Sequence, residues 1–207
     1  MRGINCRRNG VGTLAAACRA RRALRPGREN TVKTLALPKV YRLLEPGPVV
    51  LLTTSERGSI NVMTMSWHMM MDFEPPLVAC IVSDRNHTFR ALRKTRECVI
   101  AIPTVAMAKK VVACGNCSGR DVDKFTRIRL TPLPAARVAA PLVGECFANL
   151  ECRVTDTTRV PRYNLFVLEV LKAWIDPARQ RPRTLHHMGM GTFMVAGRTI
   201  RLPSRMK

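Results

Sequence analysis

The sequence predicts a mainly β domain, a closed or nearly closed barrel with short helices at its connections. Short runs of β-branched and apolar residues recur between residues 49 and 202, each bounded by Gly, Pro or polar residues. Helix-like stretches are few and short, and they fall between those runs. The first two runs are separated by Ser55-Glu56-Arg57-Gly58-Ser59, a polar, glycine-containing hairpin signal.

Residues 1–33 precede the domain as a basic arm, with eight arginines and no acid before Glu29. The arm has no convincing apolar centre and no small-residue cleavage site. It reads as a disordered or transit-like segment instead of a secretory signal. Residues 34–207 form the domain. Residues 37–45 (LPKVYRLLE) make a short helix, stopped by Pro46-Gly47-Pro48. Strands are expected at 49–54, 60–67, 77–83, 98–102, 148–154, 163–174 and 192–195, with 198–202 as a last pairing. Helices are expected at 88–94, at 104–114 behind a capping Thr104 and before Gly115, and at 121–129, with Ser118 as its cap. The connection 175–191, rich in Pro, Arg, His and Gly, is long, and such loops are commonly functional or mobile.

At 207 residues the chain suits one domain with a full core. Its 46% apolar and 24% charged residues exclude wholesale disorder, and no run is long and apolar enough for a membrane-spanning helix. Thirty-five Lys+Arg against 14 Asp+Glu give a net charge of +21. Setting aside the arm's eight arginines leaves 27 bases against 14 acids, so the body itself attracts anions. Charge does not choose among nucleic acid, acidic proteins and phosphorylated cofactors. Aromatics are only 5%, and no strand interleaves them with basic residues, which argues against a nucleic-acid surface. Of eight cysteines, Cys80, Cys98 and Cys152 sit inside apolar runs, where a free thiol acts as a small hydrophobe. Free thiols imply a reducing compartment, and a cytoplasmic location is expected. No Ser/His/Asp or paired-carboxylate signature occurs.

Three stretches carry a resemblance. The first runs through Thr53-Thr54, Gly58, Asn61-Val62-Met63-Thr64-Met65-Ser66-Trp67-His68 and Pro75-Pro76. The second is Ser83-Asp84-Arg85-Asn86-His87-Thr88, and the third Gly115-Asn116-Cys117-Ser118-Gly119-Arg120-Asp121-Val122-Asp123-Lys124-Phe125. In this order and spacing they resemble the flavin reductase-like family, the FMN-binding split barrels that include flavoredoxin. Pro141-Leu142, Glu145-Cys146 and Leu150-Glu151-Cys152 agree with it, and residues 37–200 are covered. The resemblance implies a six-stranded antiparallel Greek-key split barrel, homodimeric, with FMN near the subunit interface. It implies NAD(P)H as co-substrate and hydride transfer to flavin, with a monooxygenase as a recipient of reduced flavin. The alternative is an FMN electron carrier of the flavoredoxin kind, reduced by a protein partner.

The residues suit such a site. Ser83–Thr88 runs from a strand end into a helix start, where free N–H groups face an anion; Ser83, Asn86 and Thr88 add donors, and Arg85 or His87 charge. Strand alternation points Asn61, Met63, Met65 and Trp67 one way and Thr64 and Ser66 the other, so backbone groups must supply part of the contact. Thr64, Ser66 and Trp67 are the expected side-chain contacts, with Asn61 carried over from the family pattern. Met63, Met65 and Trp67 read equally as barrel core, and Met69-Met70-Met71 as soft packing. Asn116, Cys117 and Ser118 form a second polar contact. Arg120 and Lys124 lie one turn apart on the expected helix, and the resemblance places Lys124 beside the charge of reduced flavin. Phe193 falls where relatives place an aromatic near the flavin, with Tyr163 a weaker second. Arg179, Arg181 and Arg183 read as nicotinamide-phosphate contacts or as a solvated loop. Cys114-x-x-Cys117 has the spacing of zinc sites and thiol redox centres, but no second paired motif follows it.

Overall fold

The structure is a computed structural model that describes residues 47–178 and 182–203. The basic arm, the helix expected at 37–45, Arg179 and Arg181 lie outside the described residues. Seven strands make one antiparallel sheet: β1 (Val50–Glu56), β2 (Ser59–Met65), β3 (His68–Phe73), β4 (Pro76–Ile81), β5 (Glu97–Ile102), β8 (Ala148–Asp156) and β9 (Leu165–Ile175). Two-stranded ribbons pair β6 (Pro132–Leu133) with β7 (Leu142–Val143), and β10 (Leu185–His187) with β11 (Phe193–Val195).

The sheet order is β2-β1-β5-β8-β9-β4-β3, so β2 and β3 are its two edges. Only Ser66 and Trp67 separate those strands in the chain. Three residue steps span roughly 10 Å at most. The sheet must therefore roll until its edges nearly meet without pairing as a ladder, which makes a barrel with a slit. Alternation sets the two faces of β1. Val50 and Leu52 point into the barrel with Val78, Cys80, Cys98, Ile100, Cys152, Phe166 and Leu168. Leu51 points out with Val62 and is covered by helical residues. Phe89 closes the inner core edge-to-face on Phe166, with centroids 5.5 Å apart.

Among the described residues four short helices decorate the barrel: α1 (His87–Thr95), α2 (Ala108–Gly115), α3 (Lys124–Ile128) and α4 (Val160–Tyr163). Val111 and Cys114 of α2, with Phe125 and Ile128 of α3, cover the outer face beside β2. Elsewhere the loop between β6 and β7 is pinned by Glu151 of β8, whose carboxylate accepts from the N–H groups of Ala136 and Arg137 and, at 2.6 Å, from the Trp174 indole.

Several expectations need correction. The main sheet has seven strands, not six. The extra one, β3 (HMMMDF), is exposed from Met69 to Phe73, so no buried alternation marks it; only pairing with β4 makes it a strand. The helix expected at 104–114 divides into a 3-10 turn at Val105–Met107 and α2, and Thr104 makes no side-chain cap. The helix expected at 121–129 begins only at Lys124. Asp123 caps it by accepting from the Thr126 N–H, whereas Ser118 accepts from the Arg120 N–H in the preceding turn. Arg120 and Lys124 are therefore not on one helical face. Residues 160–163 are helical, and β9 starts after Asn164, which takes a left-handed conformation at φ 55°. Trp67 lies past the end of β2, and residues 198–202 carry no strand.

Candidate functional site

A cleft runs between the β2 edge and helices α1, α2 and α3, and it has two chambers. Thr64, Gly115 and Asn116 line both and form the junction. The first chamber, about 380 Å³, is polar. Asn61 and Met63 of β2, Arg85–Thr88 at the start of α1, Cys114 and Cys117–Gly119 beyond α2, and Lys124 of α3 form its wall. No acidic residue lines it. The second, about 280 Å³, is less polar: Val49, Val111, Val112 and Phe193 meet Ser66, His187 and Gly191. Because β2 is an edge strand, the cleft curls around it and reaches residues of both faces. Asn61 and Met63 thus join Thr64 and Ser66, which strand alternation alone would set on opposite faces.

Three features of the polar chamber ask for an anionic, hydroxylated ligand. Lys124 is only 6% exposed, its Nζ donates to the Cys114 carbonyl at 2.8 Å, and it has no ion pair among the described residues. Burial holds its ammonium below the ordinary lysine range. His87 is likewise held below the usual histidine value, by burial first and then by the charges of Arg120, Arg90 and Lys124. Burial depresses both bases, the like charges of Arg120, Arg90 and Lys124 add to the effect at His87, and the wall itself carries no acid.

The second feature is Asn61. Its Nδ2 donates to Thr88 Oγ1 at 2.8 Å, which leaves the threonine proton free to be donated. Its Oδ1 is buried and has no partner, a state that costs about 1–3 kcal/mol unless a ligand donor relieves it. The third is Gly119: a Cβ there would stand 2.2 Å from Asn61 Oδ1 and 3.0 Å from His87 Cδ2. Only glycine lets the turn after α2 approach β2 and α1 so closely. Asn86 sits at the N-cap of α1 with extended backbone and makes no side-chain cap, so its amide does not occupy the helix start.

In the less polar chamber His187 and Phe193 face each other across the β10–β11 ribbon at 5.3 Å between centroids. Thr64 Oγ1 donates to the Val111 carbonyl at 2.7 Å and ties β2 to α2 at the junction.

The structure brings Asn61, Met63, Thr64, Ser66, Arg85, Asn86, His87, Thr88, Asn116, Cys117, Ser118, Lys124 and Phe193 to the cleft. It leaves out four expected residues. Met65 points inward and is buried in the barrel core. Trp67 is 54% exposed on the connection between the sheet edges. Ser83 bonds locally to the Arg85 N–H instead of lining the cleft. Tyr163 is exposed in α4, away from both chambers. Val49, Val111 and Val112 carry no sequence signal as walls, because their place depends on which strand α2 covers. Among the described residues no three His, Cys, Asp or Glu side chains cluster as metal ligands, and no helix is long and apolar enough to cross a membrane.

The family model of the flavin reductase like domain matches residues 42–193. YddH of Escherichia coli K12, an uncharacterized protein, is 35% identical over 181 residues, which span 80% of this chain and 95% of that one. Among solved structures, an FMN-binding domain of a flavin reductases-like enzyme from Shewanella baltica OS155 superposes with a TM-score of 0.71 at 28% identity, over 86% of this chain and all of that one. Flavoredoxin of Desulfovibrio vulgaris (Miyazaki F) shares the fold with a TM-score of 0.70 at 24% identity, over 85% of this chain and 96% of its own.

Proposed function

The chain belongs to the flavin reductase-like family, and on that premise we propose that it binds FMN in the two-chambered cleft and reduces it with NAD(P)H. The observation that carries the reading is the pairing of chambers. An acid-free polar pocket with a buried, unpaired Lys124 and an unsatisfied Asn61 Oδ1 opens, past Thr64, Gly115 and Asn116, into a pocket walled by Val49, Val111, Val112 and Phe193. FMN has that sequence of needs: an anionic phosphate, a chain of hydroxyls and a flat ring.

Residues at the start of α1 would hold the phosphate, with Thr88 donating its free proton, Arg85 and Lys124 supplying charge and His87 a ring N–H. Asn61 Oδ1 would accept from a ribityl hydroxyl. Val49, Val111 and Phe193 would keep water from the ring, and Thr64 and Asn116 would orient its polar edge. When bound, FMN supplies the two-electron chemistry, and the protein supplies orientation and electrostatics. No side chain need act as nucleophile or general base. The expected result is purified protein that takes up FMN and whose bound flavin bleaches within seconds of adding NADH or NADPH without oxygen. Flavin that binds but bleaches only with a reducing protein would turn the reading into an electron carrier. Protein that takes up no FMN rejects both.

The second part of the proposal is a homodimer. Among the described residues strand β3, paired only with β4, is a sheet edge that exposes Met69, Met70, Met71 and Phe73, the last 84% exposed, with Trp67 beside it. An apolar edge of this kind is an aggregation hazard unless something covers it, and flexible methionines adapt to a matching surface. Sedimentation is expected to give twice the chain mass, and Phe73→Lys to shift it toward a single chain. A wild-type protein sedimenting as one chain rejects the dimer.

A further inference from the structure

Reducing a bound flavin by two electrons leaves a negative charge on its ring. Lys124 does not lie in the chamber assigned to the ring; it is buried in the polar one, with Arg85 and Thr88. Among the described residues that line the less polar chamber, one side chain can carry a compensating charge, and it is His187. We propose that His187 is a redox-linked proton site: it takes one proton from solvent when the flavin beside it is reduced and releases it when the flavin is reoxidised. The proposal rests on the FMN reading above, which puts the ring in that chamber.

The fold decides which of two adjacent histidines faces the chamber. The Val49 N–H donates to the Leu185 carbonyl at 2.7 Å and ties β10 to the chain entering β1, while β11 pairs His187 with Phe193. Leu185 is buried in the outer cluster with Val111, and strand alternation turns His187, two residues on, to the same side. His186 falls on the other face, with its Nε2 3.0 Å from Thr184 Oγ1. Just past His187 the Met188 N–H donates to the Thr192 carbonyl at 2.9 Å. Gly191, at φ 73°, helps bend the chain back, so that Phe193 returns beside the imidazole. The imidazole is thus held at the closed end of a ribbon whose other end is anchored to β1.

The surrounding charges leave the flavin as the variable partner. No carboxylate lines either chamber, so the reduced flavin is itself the anion that an imidazolium there would face. From α2, Lys110 pairs with Glu145 at 3.1 Å and Lys109 is exposed to solvent. In the chain before β1, the Pro48 carbonyl oxygen lies 2.7 Å from His68 Nε2. β2 contributes the neutral Thr64 and Ser66, and β11 the neutral Phe193. Arg183 stands four residues back along the ribbon, beyond the buried Leu185. Histidine suits the task because its charge changes near neutral pH, and a new anion in a chamber shielded from water favours the charged imidazole strongly.

The step balances. The hydride of the nicotinamide carries two electrons and one proton to the flavin, which becomes an anion. The imidazole gains one proton from solvent and becomes a cation, so the net charge of the chamber is unchanged. Reoxidation passes the electron pair and the flavin's proton to the acceptor, and the proton of the imidazole returns to solvent.

The test is the midpoint potential of the FMN-loaded protein as a function of pH, over the range in which histidine changes charge. His187→Gln is the variant, and His186→Gln is the control on the other face of the ribbon. Each proton taken up with two electrons moves the potential by about 30 mV per pH unit. The wild type and His186→Gln should therefore show a slope about 30 mV per pH unit steeper than His187→Gln. A second reading needs no substituted chain. With carbon-13 in the four histidines of the wild type, the imidazole in contact with the Phe193 ring should change to its charged form when the flavin is reduced. Equal slopes in wild type and His187→Gln, or a His187 imidazole that keeps its charge state on reduction, overturn the proton site and leave the FMN reading standing. Protein that takes up no FMN overturns that reading, and the flavin-linked proton with it, whatever His187 does in the ligand-free chain.

Discussion

Replacing Lys124 by methionine should weaken FMN binding by roughly ten- to a hundredfold while leaving the ligand-free protein at least as stable as the wild type. The two halves share one cause. An ammonium buried at the chamber wall has lost hydration and recovers only one hydrogen bond, to the Cys114 carbonyl, with no carboxylate to offset its charge. Desolvation of an ion costs several kcal/mol even after relaxation, so the empty protein holds the lysine at a loss. A hydrogen bond from a charged donor to the ligand recovers about 1.5–3 kcal/mol, and each 1.4 kcal/mol is tenfold in affinity. Methionine keeps the apolar stem and removes the charge. Equilibrium dialysis with FMN and thermal unfolding of the ligand-free variant read the two halves separately. Unchanged affinity would remove Lys124 from the site, and a marked loss of ligand-free stability would make its bond to Cys114 structural.

The same variant separates two roles for the cation. If Lys124 faces the ring, its charge favours the reduced, anionic flavin, and the methionine variant should show a more negative midpoint potential. If it faces the phosphate, affinity falls and the potential barely moves. The geometry favours the phosphate, because Lys124 shares its chamber with Arg85 and Thr88 and not with Phe193.

The fold was legible where local chemistry decides structure. β-Branched runs such as Val49–Thr54 and the Ser55–Ser59 turn needed no partner to be read, and Ser83–Thr88 announced a helix start after a strand. Elements that exist only through distant pairing were not legible. β3 has no buried side, and β10 is three residues long and becomes a strand only by meeting β11. The site divides in the same way. Asn61, Thr64 and Thr88 stand in recognisable stretches, whereas the reach of both faces of β2 into one cleft depends on its lying at the sheet edge. Lys124 sat in a readable motif, yet its burial without an acid depends on how α3 docks. Gly119 illustrates the limit most sharply: in the sequence it is one more turn glycine, and only the approach of Asn61 and His87 shows why no side chain fits there.

Glu151→Gln should destabilise the protein by about 2–4 kcal/mol at neutral pH, and the deficit should shrink as the solution is acidified. Glu151 is fully buried, and its carboxylate is surrounded by donors: the Trp174 indole at 2.6 Å and the N–H groups of Ala136 and Arg137, with Lys172 above the indole at 4.1 Å from its centre. Burial by itself would raise its pKa. The Trp174 bond, the two backbone bonds and the Lys172 charge outweigh it and leave the carboxyl below its ordinary value. A glutamine of the same shape turns an NH2 toward donors that need an acceptor, which frees the loop between β6 and β7 from β8. The sign follows from linkage. A carboxyl whose pKa is lower folded than unfolded contributes stability above the unfolded value of about 4.3, and that contribution drains away as pH falls through the folded value. Wild type and variant should therefore differ most at neutral pH and converge in acid, where the wild-type carboxyl protonates as well. Urea unfolding of both proteins across that range measures it. A neutral-pH difference under about 0.5 kcal/mol, the size of an ordinary surface change, would mean that the loop does not depend on this carboxylate.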